Sequence, residues 1–377
     1  MNNVSYSGAA GTKSPAGIKE IAQALGVSIG TVDRALHGRS GISPLTRTRV
    51  LNMAQTLGYR PNVAARYLRL KRKMNVSVHL PREIAFFFDA LQQGIVEASA
   101  PFASTVNITF RTVRRLGECE GELFREALEQ KANGIIVAPG HPAELRTWIQ
   151  KAARQHIPVV CVATDAPKTE RLTAVAADAY TAGSMVAECL LRVVRSPSSV
   201  LIVTGDLSTV DHSEKVRGFQ EFLGQGTRLS IGPIIEAHDD PGEAYTRVCE
   251  CLRRDPEIRA IYVATANSLP VLRALDEAVG ERSLSVITTD LFPELIPYIR
   301  DGRIVATVSQ RPHTQGRMAF GALYQFLIDG TCPPARLRLA PHLVSRSNLQ
   351  LELEIMASQS GNLPGMGIES YEVAGSI

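Results

Sequence analysis

The chain has 377 residues and a formal net charge of +4, long enough for a small domain plus one or two of ordinary size with full hydrophobic cores, which excludes a disulfide-stapled miniprotein. Through Asn75 there are 12 Lys and Arg against 2 Asp and Glu, a net +10 that leaves −6 for the rest; a basic N-terminal segment suited to a polyanion precedes an acidic body suited to a neutral ligand. No apolar run reaches the length of a membrane span, the N-terminus lacks the order of a signal peptide, and the six scattered cysteines form no metal or disulfide pattern, so a cytoplasmic protein with reduced thiols, no metal and no membrane partner is expected.

Residues 1–16 are rich in Gly, Ser, Ala and Asn and predict a disordered N-terminus. Ile18, Ile21, Ala22 and Leu25 then fall at i, i+3, i+4 and i+7, the apolar face of a short helix that Gly26 stops. Ser28 is an N-cap for a second helix, in which Val32, Ala35 and Leu36 turn inward while Ile29, Gly30, Thr31, Asp33 and Arg34 stay on the open face. Two short helices joined by a Gly-containing turn are either a plain helical hairpin or a helix-turn-helix whose second helix enters a DNA major groove. A third helix favours the second reading: Ser43 caps it, Pro44 takes its first position, and Val50, Met53, Ala54 and Leu57 form its buried stripe. After Gly58, the segment Asn62 to Leu68 predicts one or two helical turns, too few to be stable alone.

Ile18-Lys-Glu-Ile-Ala, Leu25-Gly-Val-Ser-Ile-Gly-Thr-Val-Asp-Arg-Ala-Leu-His-Gly38, Ile42-Ser-x₂-Thr46-Arg-x-Arg-Val50 and Leu57-Gly-Tyr-Arg-Pro-Asn-x-Ala-Ala-Arg66 resemble the headpiece of lactose-repressor (LacI/GalR) family regulators. The resemblance divides the region into a headpiece at 17–61 and a hinge helix with linker at 62–74. It implies DNA contacts from Ile18, Ser28, Ile29, Gly30, Thr31, Arg34, Ser43, Thr46, Asn62 and Ala65, with Leu68 as a wedge in the minor groove and a second copy of the chain supplying its twin. Arg34 can read guanine bidentately, a contact worth roughly 1 to 3 kcal/mol of discrimination. Gly30 has no side chain to read with, and Asp33 stands where relatives usually carry Ser, so the operator sequence cannot be copied from them. Thr31, Ser43 and Thr46 suit phosphates and equally suit caps.

From Asn75 apolar runs alternate with helical patterns: strands at 76–80, 106–110, 134–138, 158–162 and 174–177, then at 200–204, 230–236, 260–264, 285–289 and 304–308, with helices between most of them. Two consecutive β/α halves predict two doubly wound parallel-sheet lobes that bind ligand beyond the carboxyl ends of their strands. The order of elements over 75–350 is similar to the family's two-lobed effector-binding and dimerisation core, itself similar to periplasmic sugar-binding proteins; residues 351–377 have no counterpart. Phe87 and Phe88 align with an aromatic pair that stacks on a sugar ring, although the Asn that precedes this pair in the pattern is Ala85. Asp290 and Gln310 end strands where relatives bind hydroxyls, with helix capping as the plain alternative for Asp290. Lys215 replaces the usual Arg and cannot give its two-pronged hydrogen bond. His141, Asp165, His212 and Asn267 complete the candidate walls, with the role of an ordinary loop polar the favoured alternative for each.

The expected function is a sequence-specific DNA-binding transcriptional regulator, a repressor, whose operator affinity is set by a sugar or polyol between the lobes. It would act as a homodimer or a tetramer, need no cofactor and sit on the bacterial nucleoid when bound to DNA. An enzyme of sugar metabolism fused to a headpiece is the alternative, but GxSxG, P-loop, GxGxxG and HExxH patterns in a supporting context are all missing. A third reading, an architectural DNA binder with a non-binding core, predicts that no small molecule stabilises the protein.

Overall fold

A computed structural model of the protein describes residues 17–36, 40–57, 59, 73–224, 227–278 and 283–359. The headpiece is three helices, α1 (Ile18–Leu25), α2 (Ile29–Leu36) and α3 (Pro44–Thr56). Ile21, Ala22, Val32, Ala35, Val50 and Ala54 meet in one core, with Ile18, Leu25, Leu36, Met53 and Leu57 packed half-buried around it. Gly26 ends α1 at φ +63°, a left-handed conformation that glycine adopts without a Cβ penalty.

The core is built on central strands that are nearly all buried, as parallel sheets covered on both faces require, with more exposed strands at the sheet edges. The first sheet contains β1 (Met74–Pro81), β2 (Val106–Val113), β3 (Gly134–Val137), β4 (Val159–Val162), β5 (Thr173–Ala177) and, from far down the chain, β11 (Arg336–Leu339). Its order is β11-β5-β4-β3-β1-β2, all parallel. The second sheet contains β6 (Ser198–Thr204), β7 (Leu229–Glu236), β8 (Ile258–Val263), β9 (Ser285–Thr289), β10 (Ile304–Ser309) and β12 (His342–Val344), in the order β12-β10-β9-β8-β6-β7 with only β12 antiparallel. Helices α4 (Ala85–Ser99), α5 (Glu120–Glu129) and α6 (Pro142–Arg154) connect the first sheet, and α8 (Val210–Leu223), α9 (Pro241–Arg254), α10 (Leu269–Ala278) and α11 (Ile296–Arg300) the second.

The first ten strands form two consecutive halves, as the sequence pattern suggests, but the segments after them interleave the lobes. After β5 the chain passes to α7 (Ala179–Val193), whose Ala182, Val186, Ala187 and Leu190 belong to the core of the second lobe. After β10 it returns through α12 (Pro312–Asp329), where a Cβ on Gly316 would strike the backbone of Leu91 in α4. A last crossing between β11 and β12 leads to α13 (Leu349–Gln359), which seats Leu349 and Leu353 on the second lobe. Three crossings therefore join the lobes, and all three follow the carboxyl ends of strands β5, β10 and β11, where the sequence places the ligand.

Candidate functional site

In the headpiece, the Ser28 hydroxyl accepts the Thr31 backbone N–H at 3.1 Å and lies 2.9 Å from the Thr31 hydroxyl. Ser43 and Thr46 repeat this at the start of α3, at 3.1 and 2.8 Å. Ser28 and Ser43 thus cap two helices, each with its hydroxyl paired to that of the following threonine, and the exposed N-termini offer positive dipole ends and spare donors to an anion such as phosphate. On the open face of α2, Ile29 is 51% exposed, and Gly30 and Arg34 are exposed beside it. Burial, with the Asp33 charge behind it, pushes the Tyr59 hydroxyl up from its ordinary value. Ile18 packs half-buried against the headpiece core. Asn62, Ala65 and Leu68, with most of the hinge segment, lie outside the described residues.

Between the lobes is a tight cleft with a cavity volume of about 50 Å³, or about 580 Å³ of empty space when the open solvent at its mouth is included; the closed cleft is thus smaller than the roughly 300 to 1,000 Å³ common for small-molecule sites. Glu83, Phe87, Phe88 and Thr164 line it from the first lobe, and Thr209, Asp211, His212, Lys215, Asp239 and Gln310 from the second. The rings of Phe87 and Phe88 stand edge to face with centroids 5.0 Å apart. Lys215, 1% exposed, donates from Nζ to Asp211 Oδ2 at 2.6 Å; Asp211 Oδ1 is buried without a partner among the described residues.

Asp290 lies behind Gln310, at φ +64°. Its carboxylate accepts the Gln310 backbone N–H at 3.0 Å and Gln310 Nε2 at 2.6 Å, so it fixes a cavity-lining amide and does not cap the following helix. Burial pushes its carboxyl up to about 6, against the opposing pull of Lys215 and the two Gln310 bonds. The Gln310 amide is thereby preset to face a ligand oxygen.

Polar contacts close the cleft across its mouth. Arg115 bonds both Glu83, at 3.0 Å, and Asp240 of the opposite lobe. His141 Nε2 lies 3.2 Å from Asp206 Oδ2, Thr209 donates to the Gly140 carbonyl at 3.0 Å, and the Asp211 N–H donates to Thr164 Oγ1 at 3.2 Å. Beneath this latch the buried Glu120 carboxylate accepts backbone N–H groups of Gly117, Gly140 and His141, while burial raises its pKa against those same bonds.

Of the residues chosen from sequence, Phe87, Phe88, His212, Lys215 and Gln310 thus share the cavity, Asp290 supports it and His141 sits in the latch. Asn267 holds the Asp239 carbonyl at 3.0 Å. Asp165 is instead paired with Arg171 and Arg336. Sequence reasoning missed Asp211, Asp239, Thr209 and Glu120; only Asp211 carried a local signal, its i, i+4 spacing to Lys215.

Comparison with known proteins decides what this arrangement is. The periplasmic binding protein domain family matches residues 77–331, and the bacterial regulatory proteins of the lacI family match 17–62. The chain belongs to the periplasmic binding protein domain family, and a lacI-family helix-turn-helix segment precedes that domain. Its similar proteins include transcriptional regulators that carry the same helix-turn-helix segment. It is 27% identical to catabolite control protein A of Priestia megaterium over 66% of this chain and 73% of that one. To the HTH-type transcriptional regulator DegA of Bacillus subtilis (strain 168) it is 27% identical over 58% of this chain, a span covering 64% of the relative. The structure of GanP, a glucose-galactose binding protein from Geobacillus stearothermophilus, superposes with a TM-score of 0.68 at 25% identity, covering 74% of this chain and 99% of that one. Among the described residues no helix is long and apolar enough to cross a membrane.

Proposed function

We propose that the protein is a transcriptional regulator that binds a palindromic operator as a homodimer, and that a sugar or polyol held between its lobes sets its operator affinity. The observation that carries the effector class is the cavity itself. Two phenylalanine rings offer apolar faces to a ring's C–H groups, while Gln310, Lys215 and Asp211 offer donors and acceptors that vicinal hydroxyls satisfy together. The glucose-galactose binding protein of like fold supports the same class. In the headpiece, Arg34 reads bases, Ile29 touches a thymine methyl, and Ser28, Thr31, Ser43 and Thr46 position the helices on phosphates. Leu68 wedges the minor groove, and Asn62 and Ala65 belong to the segment that carries it.

A thermal-shift screen of the full chain against sugars, polyols and phosphosugars tests this reading. A true effector at 100 times its Kd adds about 2.7 kcal/mol of stability. If no member of these classes raises the melting temperature, the effector class is wrong.

A further inference from the structure

The charges around the cavity do not balance for a neutral ligand. Among the described residues Lys215 is the one formally cationic side chain in the lining, facing the carboxylates of Glu83, Asp211 and Asp239. Glu83 is satisfied, its two oxygens held by Arg114 and Arg115. Asp211 is half satisfied: Oδ2 holds Lys215, and Oδ1 is buried with no partner. Asp239 is likewise half satisfied, since Thr265 donates to Oδ1 and nothing among the described residues donates to Oδ2. Behind them Asp290 shares the field of the same lysine. Two carboxylate oxygens lack a donor, and the one cation is already spoken for. Asp239 Oδ2 keeps access to solvent, but Asp211 Oδ1 is out of it, and a lone desolvated carboxylate oxygen is costly unless a ligand supplies a donor, of which a cationic one is the strongest kind.

We propose that the effector carries a protonated amine on its hydroxylated frame, an amino sugar or aminocyclitol, with the ammonium seated between the Asp211 and Asp239 carboxylates. The inference rests on the sugar reading above and narrows it. Phe87 and Phe88 suit such a ligand twice over, since their ring faces attract a nearby cation as well as the C–H groups of the frame. Sugar acids and phosphosugars are disfavoured at the same place, because their charge would meet the carboxylates that surround Lys215.

Calorimetry on the full chain at neutral pH tests the assignment, using glucosamine and galactosamine against glucose, galactose, the two N-acetylated amino sugars, glucuronate and glucose 6-phosphate. One of the free amino sugars is expected to bind roughly tenfold tighter than its parent hexose, the worth of one charge-assisted hydrogen bond, and acetylation should remove the advantage. Asp239→Asn keeps an acceptor for Thr265 and suits the left-handed backbone at this position, φ +54°, so the variant should fold and bring the two affinities toward equality. Equal or tighter binding of the parent hexose, the N-acetyl form, glucuronate or the phosphate overturns the ammonium while leaving the sugar reading in place. No binding by any of the compounds overturns the ammonium, and failure of the wider thermal-shift screen as well overturns the sugar reading.

Discussion

Asp290 shows how one side chain ties the site to stability. It is buried and left-handed, and its proton affinity is raised to about 6 from 3.8 mainly by desolvation. A carboxyl held above its unfolded value stabilises the fold below the unfolded pKa, and that contribution is lost as pH rises from about 4 through about 6. The difference is worth roughly 3 kcal/mol at most. Asn at this position is neutral at every pH, tolerates the backbone angle, and can bond a flipped Gln310 amide. Urea denaturation should therefore show Asp290→Asn gaining on the wild type by up to about 2 kcal/mol between pH 4.5 and pH 7.5. A gap between the two proteins that does not move with pH would mean that the carboxyl titrates as an ordinary surface group.

Two helix pairs organise the lobes, and each joins a helix that follows a crossing to the first helix of its lobe. In the second lobe a Cβ on Gly183 of α7 would lie 1.9 Å from the Lys215 carbonyl, and one on Gly218 of α8 would lie 2.0 Å from the Tyr180 carbonyl. In the first lobe Gly94 of α4 and Gly316 of α12 stand in the same reciprocal relation, each 2.0 Å from the partner's backbone. These contacts are backbone to backbone and cannot be relieved by a rotamer, so Gly183→Ala and Gly316→Ala should each cost about 2 to 3 kcal/mol in denaturant midpoint analysis. Gly321, in α12 with nothing within 4 Å of its Cβ position, supplies the control: alanine there should be neutral or stabilise by up to about 1 kcal/mol. Equal losses at Gly316 and Gly321 would show that helix propensity, and not close packing, sets the cost. The strands that make these lobes were legible because β3, β4, β6 and β8 are short apolar runs between helices. Helix α7 was not, since Ala179-Tyr-Thr-Ala-Gly-Ser-Met mixes small and polar residues whose burial depends on a partner in the other lobe. Nor was β11, Arg336-Leu-Arg-Leu, a short edge strand with exposed arginines whose partner β5 lies about 160 residues earlier. The cavity residues were legible at strand ends and aromatic clusters, where position alone implies a role; Asp239 and Thr209 draw theirs from the closure of two lobes, which no local pattern encodes.

At the scale of the whole molecule, the closed cleft is held by contacts that are individually weak. Arg115 and Asp240 are each about a third exposed, as are His141 and Asp206, and such bridges contribute no more than about 1 kcal/mol apiece. The balance between closed and open lobes is therefore shallow, and a ligand that contacts both walls can move it by its differential affinity for the closed form. Where operator and effector act on one equilibrium, the factor by which effector changes operator affinity must equal the factor by which operator changes effector affinity. Fluorescence anisotropy of labelled operator, with and without saturating effector, gives the first factor; calorimetry of effector binding, with and without operator, gives the second. His141→Ala removes one bridge without touching the cavity lining, so it should weaken effector binding roughly threefold. It should also shift operator affinity in the direction opposite to that produced by effector, since it favours the open lobes that effector disfavours. An effector affinity indifferent to both operator and His141→Ala would show that closure of the cleft is not the link between the two sites.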